Sequence, residues 1–286
     1  MSEPTVDGFV ARPVTVGDLT FDVRFAGPEQ GTPVLLLHGF PQTSLCWAGI
    51  APTLADAGCR VIAPDQRGYS PGARPEGVEH YDTRLLAGDV LALAEELGID
   101  AFHLVGHDWG ASVAWVVAAE HPDRLRGLTA VSVPHLAAYG QALRDDPDQQ
   151  QRSAYIQFFR IAGKAERVLL EDGARRLREM YGDAVPTDHA DAYLARLSEE
   201  GALTATLNWY RAMRADLVEL GPVTVPTTYV WSDQDLALGR VGAELCGQHV
   251  SGAYDFVELS GISHWVPEQA PGQLAAAILD RVASTG

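Results

Sequence analysis

Short apolar runs alternate with amphipathic stretches through the first half of the chain. Residues 34–37 are wholly apolar and stop at His38-Gly39, as suits a strand buried on both faces. Residues 60–63 form a similar run closed by Pro64, and residues 20–26, 102–105 and 128–133 are further predicted strands. Between them, residues 81–97 predict a helix, with Leu85, Leu86, Val90, Leu93 and Leu97 at helical spacing and Gly98 as its stop. A second helix is predicted from just after Gly106 to about Glu120. Strand and helix in strict alternation predict a mostly parallel sheet with helices on both faces, an α/β architecture.

The pattern changes over residues 134–216, where helical spacing dominates and no strand is predicted. Alternation then resumes, with strands at 227–231 and 254–259 and a closing helix at 272–282. The expected organisation is an α/β core of residues 1–133 and 217–286, interrupted by a helical cap of residues 134–216.

Composition narrows the function classes. The 286 residues carry a formal net charge of -17, and Lys164 is the one lysine. That balance disfavours a nucleic-acid or anionic-membrane partner, because phosphates would be repelled. Cys46, Cys59 and Cys246 are widely spaced and form no zinc or redox motif, which suits free thiols in a reducing compartment. Residues 1–8 include Glu3 and Asp7 and no apolar core of a signal peptide. No apolar run approaches the ~20 residues of a membrane span. The expectation is a soluble cytoplasmic protein; the sequence leaves room for a homodimer.

The strongest local signal is Gly106-His107-Asp108-Trp109-Gly110, directly after a buried strand and before a helix. This is the strand–turn–helix setting of a nucleophile elbow, with Asp in the usual Ser position. The central side chain would stand at a helix N-terminus, whose dipole favours an anion. Asp108 is therefore either a covalent nucleophile or an N-cap that satisfies helix amides. His38-Gly39-Phe40-Pro41 follows the earlier strand, where this fold supplies one oxyanion-hole amide; the residue after the nucleophile supplies the other. Those amides would be Phe40 and Trp109.

With these two motifs and Ser263-His264-Trp265 in one chain, the sequence resembles the α/β-hydrolase-fold epoxide hydrolases over nearly its whole length. It is similar to the soluble epoxide hydrolases of animals without their extra N-terminal domain. Asp65-Gln66-Arg67-Gly68-Tyr69-Ser70 matches a loop common to the wider fold. Asn208-Trp209-Tyr210-Arg211 resembles the segment whose tyrosine activates the epoxide oxygen. Tyr155-Ile156-Gln157-Phe158-Phe159, followed by Gly163 and Glu166, resembles the segment with the second such tyrosine. The alternative for both tyrosines is lid packing.

Chain order in this fold runs nucleophile, acid, His. His264 follows the last predicted strand. The resemblance places the acid at Asp235, with Asp233 as the alternative. His80, His103, His121, His135, His189 and His249 lack metal spacing and read as structural or solvated. His38, Pro41, Trp109, His135, Phe158 and Trp265 are expected to line the substrate pocket.

The resemblance implies a two-step reaction. Asp108 attacks an epoxide carbon while Tyr155 and Tyr210 donate to the oxygen; His264, oriented by Asp235, then activates a water against the ester. No metal or organic cofactor is implied, and the partners are a small epoxide and water. Haloalkane and haloacid dehalogenases share the aspartate elbow. However, the haloalkane enzymes typically read His-Gly-Asn-Pro where this chain has Phe40, and lack the tyrosine pair; fluoroacetate dehalogenases usually carry Arg where this chain has Trp109. A non-catalytic ligand-binding member of the fold is the alternative from another class. It would be expected to have lost part of the constellation, and here every part is present.

Overall fold

The computed structural model describes residues 8–285. The N-terminal stretch read above for a leader lies almost wholly outside them. Eight strands form one sheet: β1 (Val10–Val16), β2 (Leu19–Ala26), β3 (Thr32–Leu37), β4 (Cys59–Pro64), β5 (Phe102–His107), β6 (Leu125–Val131), β7 (Thr227–Gln234) and β8 (Tyr254–Ser263). Their order is β1-β2-β4-β3-β5-β6-β7-β8. β1 and β2 pair antiparallel, as do β2 and β4; every other neighbour is parallel.

The sequence pattern missed β1. It carries Pro13, and most of its residues are exposed, so it has no clean alternation to read. Pro is tolerated on an edge strand, where its missing N–H breaks no ladder bond. Gly17-Asp18 turns the chain into β2, with Gly17 at φ 57°.

Helices α1 (Ala51–Asp56), α2 (Thr83–Glu96) and α3 (Trp109–Glu120) connect the first strands. Helix α2 starts later than its apolar spacing implied, because the Asp82 side chain accepts from the Arg84 amide and caps it. Leu86, Val90 and Leu93 face the core, whereas Leu85 is exposed. Leu85 lies one residue, or about 100°, off the buried stripe. Helix α3 is buried almost all round, which anchors the elbow it opens.

Every regular element between β6 and the short 3-10 helix Ala215–Glu219 is a helix: α4 (Leu136–Asp145), α5 (Pro147–Arg152), α6 (Tyr155–Phe159), α7 (Lys164–Tyr181), α8 (Thr187–Leu197) and α9 (Ala202–Arg211). Helix α7 is broken by non-helical backbone from Glu171 to Ala174. After β7 come α10 (Arg240–Leu245), α11 (Val266–Gln269) and α12 (Pro271–Ala283). Among the described residues, no helix is long and apolar enough to cross a membrane. The three cysteines are buried and unpaired.

Arg211, at the end of α9, meets Glu166 of α7 at 2.8 Å, with both side chains largely buried. Glu166 also accepts from the Gly163 amide, capping α7. Removing one partner leaves a desolvated charge behind. Glu166→Ala should therefore lower the unfolding free energy by about 3 kcal/mol, read from urea denaturation.

Candidate active site

Three parallel strands, β5, β7 and β8, end on the same edge of the sheet, with β6 between the first two. Asp108 follows β5, Asp235 follows β7 and His264 follows β8, each by one residue. In open α/β sheets, ligands bind at the carboxyl ends of the strands. Asp108 has φ 53° and ψ -119°, an uncommon backbone state for a non-glycine residue that costs about 1–3 kcal/mol. The turn fits only because its flanking residues lack a Cβ. On Gly106 a Cβ would stand 2.2 Å from the Gly110 carbonyl oxygen; on Gly110 it would stand 2.1 Å from that of Leu37.

Asp108 makes no side-chain cap to its own helix. Its Oδ1 instead accepts from the Phe40 amide at 2.8 Å, and its Oδ2 lies 3.6 Å from His264 Nε2. Trp109 opens α3, so its N–H has no acceptor within the helix. The other imidazole nitrogen, His264 Nδ1, is 2.8 Å from Asp235 Oδ2. Asp235 Oδ1 accepts from the amides of Ala237 and Leu238 at 2.8 and 3.0 Å. Asp233 points elsewhere: its carboxylate accepts from the Gly261 amide and Ser260 Oγ on the exposed edge.

Charge follows from this geometry. Burial alone would push the Asp108 carboxyl up, but the bond and charge of His264, with His107 and the Phe40 amide, outweigh it and hold it low. Asp235 is lowered against the same burial, by His264 and its two amides. Burial works against protonated His264, yet two flanking carboxylates raise it to about 10. The resting site is thus an imidazolium between two carboxylates.

Two cavities meet at this cluster, of about 460 Å³ and about 810 Å³. Asp108, Tyr155 and Tyr210 line both. Tyr155 stands on α6 and Tyr210 on α9, with ring centroids 6.3 Å apart. Burial pushes both phenols far above their ordinary range, with the Asp108 charge adding to it. Both are therefore neutral O–H donors at any working pH. Trp109 packs edge-on against Tyr210 at 5.0 Å and Trp209 at 5.6 Å.

Phe40, Phe158 and Trp265 line the larger cavity and Trp109 the smaller. The pocket expectation is corrected at His38, Pro41 and His135, none of which lines either cavity. His38 is fully buried behind its loop; its Nδ1 is 2.9 Å from the Gly39 carbonyl and its Nε2 accepts from the Gln66 amide. Pro41 contributes its carbonyl to the Tyr181 hydroxyl at 2.7 Å. His135 caps α4 and stacks on His249. A histidine in the loop that follows a strand can turn under the sheet edge as readily as over it, and spacing does not distinguish the two.

Several supporting residues carried no sequence signal. Gln149 of α5 donates to the Ala237 carbonyl and accepts from the Gly239 amide, while Arg152 donates to the Asp235 carbonyl. The helical insert thereby braces the loop that bears Asp235. Trp209 Nε1 donates to the Arg67 carbonyl at 3.0 Å, tying α9 to the loop of residues 65–70. Among the described residues, no cluster of His, Cys, Asp or Glu is grouped to hold a metal.

An elbow residue at the end of a central parallel strand, with an acid and a histidine following the second and third strands beyond it, defines an α/β hydrolase. The chain belongs to that family: the alpha/beta hydrolase fold model matches residues 32–271. An AB hydrolase superfamily protein of Bacillus subtilis (strain 168), YfhM, is 33% identical over 282 residues, covering 96% of this chain and 98% of its own length. Epoxide hydrolase A of Mycobacterium tuberculosis (strain ATCC 25618 / H37Rv) is 33% identical over 297 residues, covering 88% and 91%. A solved structure of one of the epoxide hydrolases from metagenomes of hot environments superposes with a TM-score of 0.86 at 30% identity, covering 96% of this chain and 98% of that one.

Proposed function

We propose that the protein is an epoxide hydrolase that converts an epoxide to a vicinal diol through an ester on Asp108. One observation carries the reading: an ionised carboxylate shares both cavities with two neutral tyrosine hydroxyls. A carboxylate attacking an ester would yield an anhydride and gain little. Attack on a strained sp³ carbon yields an ester that water can cleave. The leaving oxygen stays on the substrate as an alkoxide and needs a proton, which Tyr155 and Tyr210 are placed to donate. Relatives named epoxide hydrolases support the same substrate class.

The second step uses the other half of the site. Alkylation neutralises Asp108 and removes one of the two anions that hold the His264 proton. His264 then loses that proton more readily and serves as base toward water, with Asp235 fixing its ring. The amides of Phe40 and Trp109 receive the oxyanion. The helices between β6 and β7 act as a cap that carries the tyrosines and shapes the pocket.

Turnover of styrene oxide, set beside halide release from a chloroalkane, tests the substrate class. Diol without halide is the expected result; halide without diol sinks the proposal in favour of dehalogenation. The tyrosines give a sharper measurement. Tyr155→Phe or Tyr210→Phe should slow alkylation by about one to two decades, since one donor remains. The double variant should be nearly inert while still folded. Alkylation at the wild-type rate in the double variant would mean that the rings only pack the cap.

A further inference from the structure

The reaction above leaves a second polar chain unused, directly behind His264. His107 Nε2 lies 2.9 Å from the backbone carbonyl oxygen of His264. His107 Nδ1 lies 3.0 Å from Gln42 Oε1, and in this placement of the amide Gln42 Nε2 donates to Glu268 Oε1 at 2.7 Å. The Tyr193 hydroxyl donates to that same oxygen at 3.0 Å. His107 and Gln42 are completely buried.

The protons along this chain can be counted. A carbonyl oxygen only accepts, so His107 Nε2 must carry hydrogen. Burial, with His264 beside it, lowers His107 to about 4, so its ring is neutral and Nδ1 is an acceptor. The Gln42 amide must then turn its NH₂ toward His107. The two ends of an amide have nearly the same shape, so the heavy-atom positions admit that orientation as well as its reverse. The amide oxygen now faces Glu268 at 2.7 Å, and two oxygens at that distance need a proton between them. Glu268 must supply it.

We propose that Glu268 is a positioning residue: its protonated carboxyl sets, through Gln42, the His107 tautomer that holds the backbone of His264. Two further facts agree. Among the described residues, Glu268 Oε2 is buried with no hydrogen-bond partner, a costly place for a carboxylate oxygen. Burial is also the largest influence on Glu268 and raises it to about 7. The titratable groups that face it are Cys46, Tyr181, Tyr193 and His264, of which only His264 brings positive charge. Ionising Glu268 would turn the Gln42 NH₂ toward the new anion and require hydrogen on His107 Nδ1. The His107 ring would then either present a lone pair to the His264 carbonyl or become a buried cation. Either outcome loosens the peptide that carries the base, and small displacements of catalytic groups are expensive.

The kinetic consequence rests on His264 being the base proposed above; the proton count does not. Glu268→Gln keeps a neutral donor at the same place and cannot ionise. Ester hydrolysis should therefore match wild type one pH unit below the Glu268 pKa of about 7. One unit above it, wild type should fall about tenfold relative to the variant. Infrared spectra should show a protonated-carboxyl band that bleaches over the same range and is missing in Glu268→Gln. The ¹⁵N shifts of His107 should be those of the Nε2–H tautomer. A flat rate ratio, a band unaffected by the substitution, or the Nδ1–H tautomer would each overturn the assignment. The spectra need no substrate, so the expected spectra in a protein inert toward epoxides would uphold the protonated chain and sink only the epoxide reading.

Discussion

Asp108→Ala is expected to end diol formation while leaving the fold intact. Without the carboxylate the first covalent bond cannot form, and losses on the order of 10⁴–10⁶-fold accompany removal of a covalent nucleophile. Alanine also fits the space, although the uncommon backbone state at φ 53° is kept. Far-UV circular dichroism should match wild type. The same step can be followed isotopically. In a single turnover of wild-type enzyme in ¹⁸O-water, the oxygen entering the diol should come from the Asp108 carboxylate, and the label should appear in the protein. Label in the first-turnover diol would mean direct attack by water, with Asp108 serving only as a base.

His264→Gln should divide the reaction at its midpoint. In the proposed mechanism ring opening relies on Asp108 and the two tyrosines, so it should proceed. Ester hydrolysis needs a base and should slow by about 10²–10⁴-fold. The peptide containing Asp108 should then gain the mass of one substrate molecule. An inert variant with no adduct would assign His264 to the first step or to the fold alone. The pH behaviour has a definite sign. In the resting protein both carboxylates raise His264 to about 10, so the imidazolium dominates at neutral pH. In the alkylated protein one anion is gone, and the pKa must move down. Hydrolysis should rise with pH through this lower value, and NMR titration of the His264 ring should register the drop on alkylation.

Much of the fold was legible because its signals are local. Each parallel strand buried on both faces reads as an apolar run, and the runs at 34–37, 60–63, 102–105 and 227–231 each lie inside an observed strand; 254–259 lies inside β8, a mostly unburied edge strand. The elbow was legible because a sharp strand-to-helix turn excludes a Cβ on both sides, and Gly106 and Gly110 are where that exclusion falls. Chain order then singled out His264, since a strand end and its following loop are close in sequence.

What remained open depended on contacts between distant segments. Asp233 and Asp235 are two residues apart, and composition does not rank them. The shift in the β7–β8 register between Ser232 and Gln234 turns one toward His264 and the other toward Gly261. Glu268 looks like an ordinary acidic residue in the first turn of a short helix. Only packing against Gln42, Cys46, Tyr181 and Tyr193 buries it and makes its proton count. His38, Pro41 and His135 sit in the right loops, yet their side chains turn away from the cavities. Cavity shape is decided the same way, by the helices of residues 136–211, inserted in the chain between the strands whose ends they cover. Periodicity tells which face of a helix is apolar. It does not tell what that face will meet, because burial energy is non-directional and the partner is chosen by the whole chain.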